Sequence, residues 1–361
     1  MILKLLRTTD SRTGLSIARQ LGSISIALVL AVLAFAPDLP YVRTSPGTAY
    51  NATGKYEGEE VIEIEQNDVL PVYPVKGNLL MMTVTEWGAP YGHLTWADAL
   101  RTLWDPAISV QPSEYIYPEG VDREEDLAQS FNDIDLSKQQ AIGAVFRHLK
   151  KPIDSYLRVD IFDPEGTAIN HLQLGDIVTA IDGYPVTSYD DMGVAREKFK
   201  PGVNTVWTVK REGKVKKITI APKDDGWGSV GFGVRLQEIY KPPMKITWNL
   251  DNVGGPSGGL AMAISLYEKF TKEDILRGRT IAVTGTISEF DGWVDAIGGI
   301  DQKIALAARS GAKMILIPGM NCEDIDAPIP PEIRVIPVYH FHEALEILRR
   351  PDTFKAFPIC D

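Results

Sequence analysis

Gly254-Gly255-Pro256-Ser257-Gly258-Gly259 runs directly into Leu260, Ala263, Ile264 and Tyr267. These four apolar positions recur at i, i+3, i+4 and i+7, one face of a helix, so the stretch predicts a glycine turn and then a buried-face helix over 258–270. Ser257 then stands at the helix N-terminus. Glycines let a substrate backbone approach closely, while free N–H groups and the helix dipole stabilise a developing oxyanion. A nucleophilic serine needs that setting. The same residues also allow a plain helix cap, a tight packing turn or a phosphate cradle, the last disfavoured because G-x-x-x-x-G-K-[ST] occurs nowhere in the chain.

Downstream, Ile281-Ala282-Val283-Thr284-Gly285-Thr286 reads as a buried strand and Asp291-Gly292 as a turn. Gly298-Gly299 opens a helix over 300–310 that Gly311 closes. Lys303 falls in the first turn of that helix, where the dipole disfavours a cation. A lysine held there among apolar neighbours has a lowered pKa and can act as a base; a solvated surface lysine is the ordinary alternative.

Taken in order, Gly255-Pro256-Ser257-Gly258, Thr284-Gly285-Thr286, Gly292-x-Val294-x-x-Ile297-Gly298-Gly299-x-x-x-Lys303, Ala307-Ala308-x-x-Gly311-Ala312 and Ile317-Pro318 resemble the proteolytic domain of Lon-type Ser/Lys peptidases. The resemblance spans residues 235–350. It implies Ser257 as nucleophile, Lys303 as general base and Thr284 as a supporting hydrogen-bond partner. Backbone amides around Ser257, with Gly255 and Gly258, would form the oxyanion site, and no cofactor or metal is implied. Lon proteolytic domains commonly form hexameric rings, so the resemblance also raises assembly as a homo-oligomer. Two departures stand out. Gly258 replaces the usual alanine, which loosens the helix start by no more than about 1 kcal/mol, and the turn Glu289-Phe290-Asp291-Gly292 is one residue longer than the common one.

Upstream, Leu157, Val159 and Ile161 alternate as in a strand, and Leu172 to Val186 places two strands around the turn Asp182-Gly183. A helix suits 190–199, and a hairpin follows across Glu212-Gly213. Leu174-Gly175-Asp176-Ile177-Val178, Ile181-Asp182-Gly183, Pro201-Gly202 and Lys210-Arg211-Glu212-Gly213 resemble a bacterial-type PDZ domain. That resemblance implies a strand–helix groove for peptide C-termini. The carboxylate loop would lie at Ser155-Tyr156-Leu157-Arg158-Val159, which lacks the expected glycines. A packing or regulatory module without free ligand is the alternative.

At the N-terminus, Lys4, Arg7, Arg12 and Arg19 face only Asp10, and an uncharged stretch runs from Leu21 to Pro37. Extended to Val42 it admits only Asp38, and about 17 to 20 residues suffice to cross a bilayer. The basic flank stays cytoplasmic and the rest is exported. The alternatives are a buried core helix and a cleaved signal peptide with Ala34-Phe35-Ala36 as its site, which Pro37 fits poorly. Ser45-Pro46-Gly47 reads as a turn, 61–64 and 79–85 as strands, 96–104 and 137–149 as helices, and 119–125 as a solvated acidic loop.

With 361 residues, 44% hydrophobic, the chain can bury the cores of two or three domains. Its 37 basic and 48 acidic residues give a formal charge of -11, the wrong sign for a nucleic-acid partner. Cys322 and Cys360 are expected as two free thiols, with a single bridge as the alternative. His340-Phe341-His342 is expected to introduce a helix rather than bind metal, and Asp251 to stabilise a turn rather than orient the site.

The whole reads as an α/β (α+β) Lon-type proteolytic domain preceded by a mainly-β PDZ domain and a transmembrane helix. The expected segments are a basic tail (1–20), an anchor (21–42), an exported α/β region (43–153), the PDZ domain (154–222), a linker (223–234), the proteolytic domain (235–350) and a tail (351–361). The architecture resembles the membrane-anchored, PDZ-containing Lon-like proteins of Gram-positive bacteria. What it implies is a single-pass protein of the cell membrane with its catalytic domain on the extracytoplasmic side. Its activity would be that of an ATP-independent serine endopeptidase cutting unfolded or loosened envelope proteins. The alternative function is a catalytically silent PDZ adaptor, or a regulator of another envelope protease. Partners would be protein or peptide substrates, peptide C-termini and the lipid bilayer.

Overall fold

The computed structural model describes residues 11–35, 39–66, 70–89, 92–117, 123–224, 226, 229–250, 253–350 and 359–360. Helix α1 (Ser11–Phe35) carries exposed Leu21, Ile24, Ile26, Leu28, Val29, Leu30 and Val32. It stops short of the expected limit at 42. Pro40 does not continue a helix, and strand β1 (Tyr41–Asn51) has begun by Tyr41, with Val42 buried. Among the described residues no helix is long and apolar enough to cross a membrane.

The chain continues through β2 (Asn78–Gly88), β3 (Ser109–Pro112) and the long helix α2 (Arg123–His148). It then forms β4 (Asp154–Phe162), β5 (Ile177–Ile181), α3 (Tyr189–Arg196), β6 (Thr205–Arg211), β7 (Lys214–Ile220) and β8 (Val234–Lys241). It returns through α4 (Gly259–Phe270), β9 (Thr280–Val283), α5 (Ile300–Arg309), β10 (Met314–Pro318), β11 (Arg334–Val338) and α6 (Phe341–Arg349).

A six-stranded sheet in the order β11-β10-β9-β2-β1-β3 organises the first and last of these segments. The strands from β2 to β11 run parallel, whereas β1 is antiparallel to β2 and β3. The stretch 43–153 is therefore no separate region: it supplies three strands of the sheet that residues 280–338 complete. Leu79 and Met81 of β2 face a core shared with α2, α4 and α6, while Leu80 and Met82 face a second core under α5. Burial on both faces explains why 79–82 reads as an unbroken apolar run. Every residue of α4 is buried, which α2 makes so by lying against it. Residues 119–122 of the expected acidic loop lie outside the described residues, but from Arg123 onward the chain is helix, and Glu124, Glu125 and Asp126 complement its N-terminal dipole. Ser45-Pro46-Gly47 lies within β1 rather than in a turn; a register shift between Pro46 and Ala49 accommodates the missing proline N–H.

A second sheet runs β7-β6-β5-β4-β8. Its core gathers Leu157, Val159, Val178, Ile181, Trp207 and Phe232, with Phe232 edge-on to Trp207 at 4.9 Å. Asp176, almost wholly buried, accepts from Arg211 Nε at 2.7 Å and from the Gln173 amide at 2.9 Å, which binds the Leu-Gly-Asp turn to the Lys-Arg-Glu-Gly hairpin. The sheet extends past residue 222, because β8 pairs with β4 along its whole length.

Cys322 and Cys360 are not free thiols but a disulfide closing a 38-residue separation. Two cysteines so far apart carry no local pairing signal. Such a bridge suits an oxidising compartment. Replacing either cysteine with serine is expected to destabilise the fold by up to about 4 kcal/mol on loop-closure grounds. Urea unfolding checks this, and an unchanged midpoint would show the bridge to be dispensable.

Candidate active site

The loop that carries Ser257 is built against α2. The Gly255 amide donates to the Ser130 carbonyl at 2.9 Å, and the buried Ser137 hydroxyl donates to the Pro256 carbonyl at 2.9 Å. Gly254 lies so close to the Ser130 side chain that a Cβ there would sit 2.0 Å from its Oγ. On the other side, the Ser257 carbonyl accepts from the Gly285 amide at 2.9 Å and from Thr284 Oγ1 at 3.2 Å. Thr284 thus touches the serine through its main chain. Gly255, expected among the oxyanion donors, has its N–H committed to Ser130 and does not serve in this arrangement.

Gly258 precedes the first turn of α4, and a Cβ there would meet Met81 Sδ at 2.5 Å. The departure from alanine therefore has a cause in β2: Met81 occupies the room a methyl would need. Gly299 does the same for α5. It adopts φ +68°, and its Cβ would meet Val84 Cγ1 at 2.6 Å. Met81 and Val84 point to opposite faces of β2, so the two glycines let the starts of α4 and α5 approach that strand from either side.

Lys303 lies in the first turn of α5 with 2% of its surface exposed. Burial pulls its amine down from 10.5 to about 7, opposed by the carboxylate of Glu86. The loop before it is clamped by buried Asn321, whose Oδ1 accepts from the Ile297 amide and whose Nδ2 donates to the Ile297 carbonyl, both at 2.9 Å. Asn321 lies beside Cys322, so the disulfide and the lysine helix share this support. Ser257 and Lys303 both line one groove of about 1050 Å³. Ser257 and Gly258 also line a smaller cavity of about 200 Å³ with Tyr50, Met81, Ile134 and Val253.

The second sheet corrects the expected peptide groove. Ser155 to Val159 lies inside β4, paired with β8 along its length and with β5 at Leu157 and Arg158, so it is an interior strand rather than the groove edge. The outer strand is β8, introduced by Gly231-Phe232-Gly233, and α3 lies against it. Tyr189 Oη donates to the Leu236 carbonyl at 2.8 Å, and the Tyr189 amide donates to Glu238 at 3.0 Å. The Tyr189 ring packs on Phe290, of the turn after Thr286, at 4.8 Å.

Sequence reasoning missed Ser130, Ser137, Met81, Val84 and Asn321, none of which lies in a motif. Asp251 lies outside the described residues. His340 packs on Trp293 at 5.0 Å, and among the described residues no cluster of three or more His, Cys, Asp or Glu side chains is placed to hold a metal.

Residues 252–350 match the family model described as the Lon protease (S16) C-terminal proteolytic domain. The chain is 40% identical over 105 residues to the Lon protease of Xanthomonas oryzae pv. oryzae, covering 28% of this chain and 12% of that protein. It is 42% identical over 102 residues to Lon protease 2 of Bacillus subtilis, covering 28% and 18%. With Lon protease 2 of Thermus thermophilus the likeness is 28% over 208 residues, 55% of this chain and 24% of the relative. The chain thus spans roughly an eighth to a quarter of the length of these relatives. The crystal structure of the PDZ domain of the SdrC-like protein from Listeria monocytogenes is similar at a TM-score of 0.21 and 24% identity, covering 22% of this chain and 85% of that one. The part of this chain that carries Ser257 and Lys303 is thereby similar to a Lon-type (S16) proteolytic domain.

Proposed function

We propose that the chain is a serine endopeptidase working through a Ser257–Lys303 dyad without ATP. The observation that carries this reading is a buried amine held near neutrality, opening on the same groove as a serine at a helix start. Neutral Lys303 takes the Ser257 proton as Oγ attacks the scissile carbonyl carbon. The oxyanion that forms is stabilised by the Ser257 and Gly258 amides just ahead of α4, where Gly258 leaves the backbone bare. Lys303 returns its proton to the leaving amine, and water then releases the acyl-enzyme. Thr284 holds the serine backbone throughout.

The other modules fit an envelope protease. The exposed apolar side chains of α1, the basic residues before them and the disulfide support a membrane anchor with an exported body. The outer edge of β8 suits an added peptide strand that displaces the Tyr189 hydroxyl from the Leu236 carbonyl and Gln139 from the Tyr240 amide, and Tyr189, lying between that edge and Phe290, would report its arrival to the peptidase turn. No Walker pattern occurs in the 361 residues, so the substrates proposed are unfolded or loosened proteins.

The test is digestion of an unfolded model protein by the full chain in nanodiscs, without nucleotide. Cleavage is expected from the parent, and a loss of at least about 10³-fold from Ser257→Ala and from Lys303→Ala. Equal cleavage by all three would place the activity elsewhere; silence of all three would favour an adaptor.

A further inference from the structure

The groove that Ser257 and Lys303 share is lined by five carboxylates, Glu86, Asp126, Asp301, Asp324 and Asp326, and Lys303 is the sole cation among its lining residues. They come from separate elements. Glu86 is on β2, Asp126 in the first turn of α2 and Asp301 on α5, while Asp324 and Asp326 follow the Asn321 clamp. Asp301 accepts from the Asp326 and Ala327 amides at 3.2 and 3.1 Å, and Asp324 from Asn321 at 2.8 Å, which fixes that wall. Glu86 accepts from Tyr117 Oη at 2.9 Å. None of the five is held in an ion pair among the described residues, so their charge is not cancelled locally. Lys303 lines the same groove at 2% exposure, and no hydrogen-bond partner holds its amine among the described residues.

A concave site walled by one sign of charge focuses potential and concentrates the opposite charge. Resting on the peptidase reading, we propose that this groove selects cationic substrate segments, extended chain carrying lysine or arginine within a few residues of the scissile bond. Carboxylates stand on several walls, so the preference extends to both sides of that bond. Acidic segments are repelled by the same walls.

Three internally quenched peptides identical except for flanking lysine, glutamine or glutamate test this on the full chain in nanodiscs. The expected kcat/KM order is lysine, glutamine, glutamate, with about tenfold between the first two at low salt, shrinking as salt screens the groove. Asp126→Asn combined with Asp326→Asn is expected to lower the lysine-to-glutamine ratio at least threefold. Equal cleavage of all three peptides, with Ser257→Ala silent, overturns the charge preference and leaves the peptidase intact. If no peptide is cleaved, the peptidase reading falls, and anisotropy titration of the Ser257→Ala chain with the same peptides decides the groove. Tighter binding of the lysine peptide supports cation selection, and equal binding overturns it.

Discussion

Lys303→Met is expected to abolish proteolysis and at the same time stabilise the fold near neutral pH. The unfolded lysine holds its proton up to about 10.5, whereas the buried amine releases it near 7. Between those values the unfolded chain binds the extra proton, so stability rises with pH. The penalty of burying the charge is therefore largest below pH 7 and fades toward pH 10.5. A shift of that size corresponds to roughly 5 kcal/mol, and methionine keeps much of the lysine stem's volume. Urea unfolding at pH 6.5 should show the variant ahead by several kcal/mol, and at pH 10 nearly level with the parent. The same offset at both pH values would mean that Lys303 is solvated when folded. A gain of stability on losing a residue is the mark of a group kept for chemistry rather than packing.

Gly299→Ala carries the second large effect. An alanine must adopt φ +68°, which costs roughly 1 to 2 kcal/mol, and its Cβ meets a stiff valine of β2 at 2.6 Å. Overpacking there adds about 1 to 3 kcal/mol. Relief requires the start of α5 to move away from β2, and Lys303 moves with it. Activity should fall further than stability alone explains. Val84→Ala in the same chain removes the Cγ1 that clashes and should restore part of both, leaving the backbone strain. Failure of the double variant to recover would show that Val84 does not set the approach.

The candidate site was legible where the proposed chemistry demands residue types at fixed spacing. The glycines around Ser257, the double glycine before Lys303 and the stripe Leu260, Ala263, Ile264 and Tyr267 are local patterns, and local geometry follows from them. The supports were not legible. Ser137 reaches Pro256 across 119 positions, and Asn321 clamps Ile297 from a turn with no motif of its own. The main sheet hid for the same reason: β2 pairs with β9 some two hundred positions later, and no spacing within either strand records its partner. The glycine-poor loop at 155–159 looked defective because the wrong strand was read as the groove edge. Gly231-Phe232-Gly233 lay in what composition marked as linker.

The central claim is that Ser257 is a nucleophile whose proton goes to a neutral Lys303. The most direct measurement is labelling of the full chain with a peptidyl phosphonate at several pH values, with peptide mass spectrometry to locate the adduct. A single adduct on Ser257 is predicted, forming at a rate that rises with pH to a midpoint near 7, where Lys303 loses its proton. The adduct should be lost in Lys303→Met. Modification of any other residue, or labelling of Ser257 at a rate indifferent to both pH and Lys303, would contradict the account.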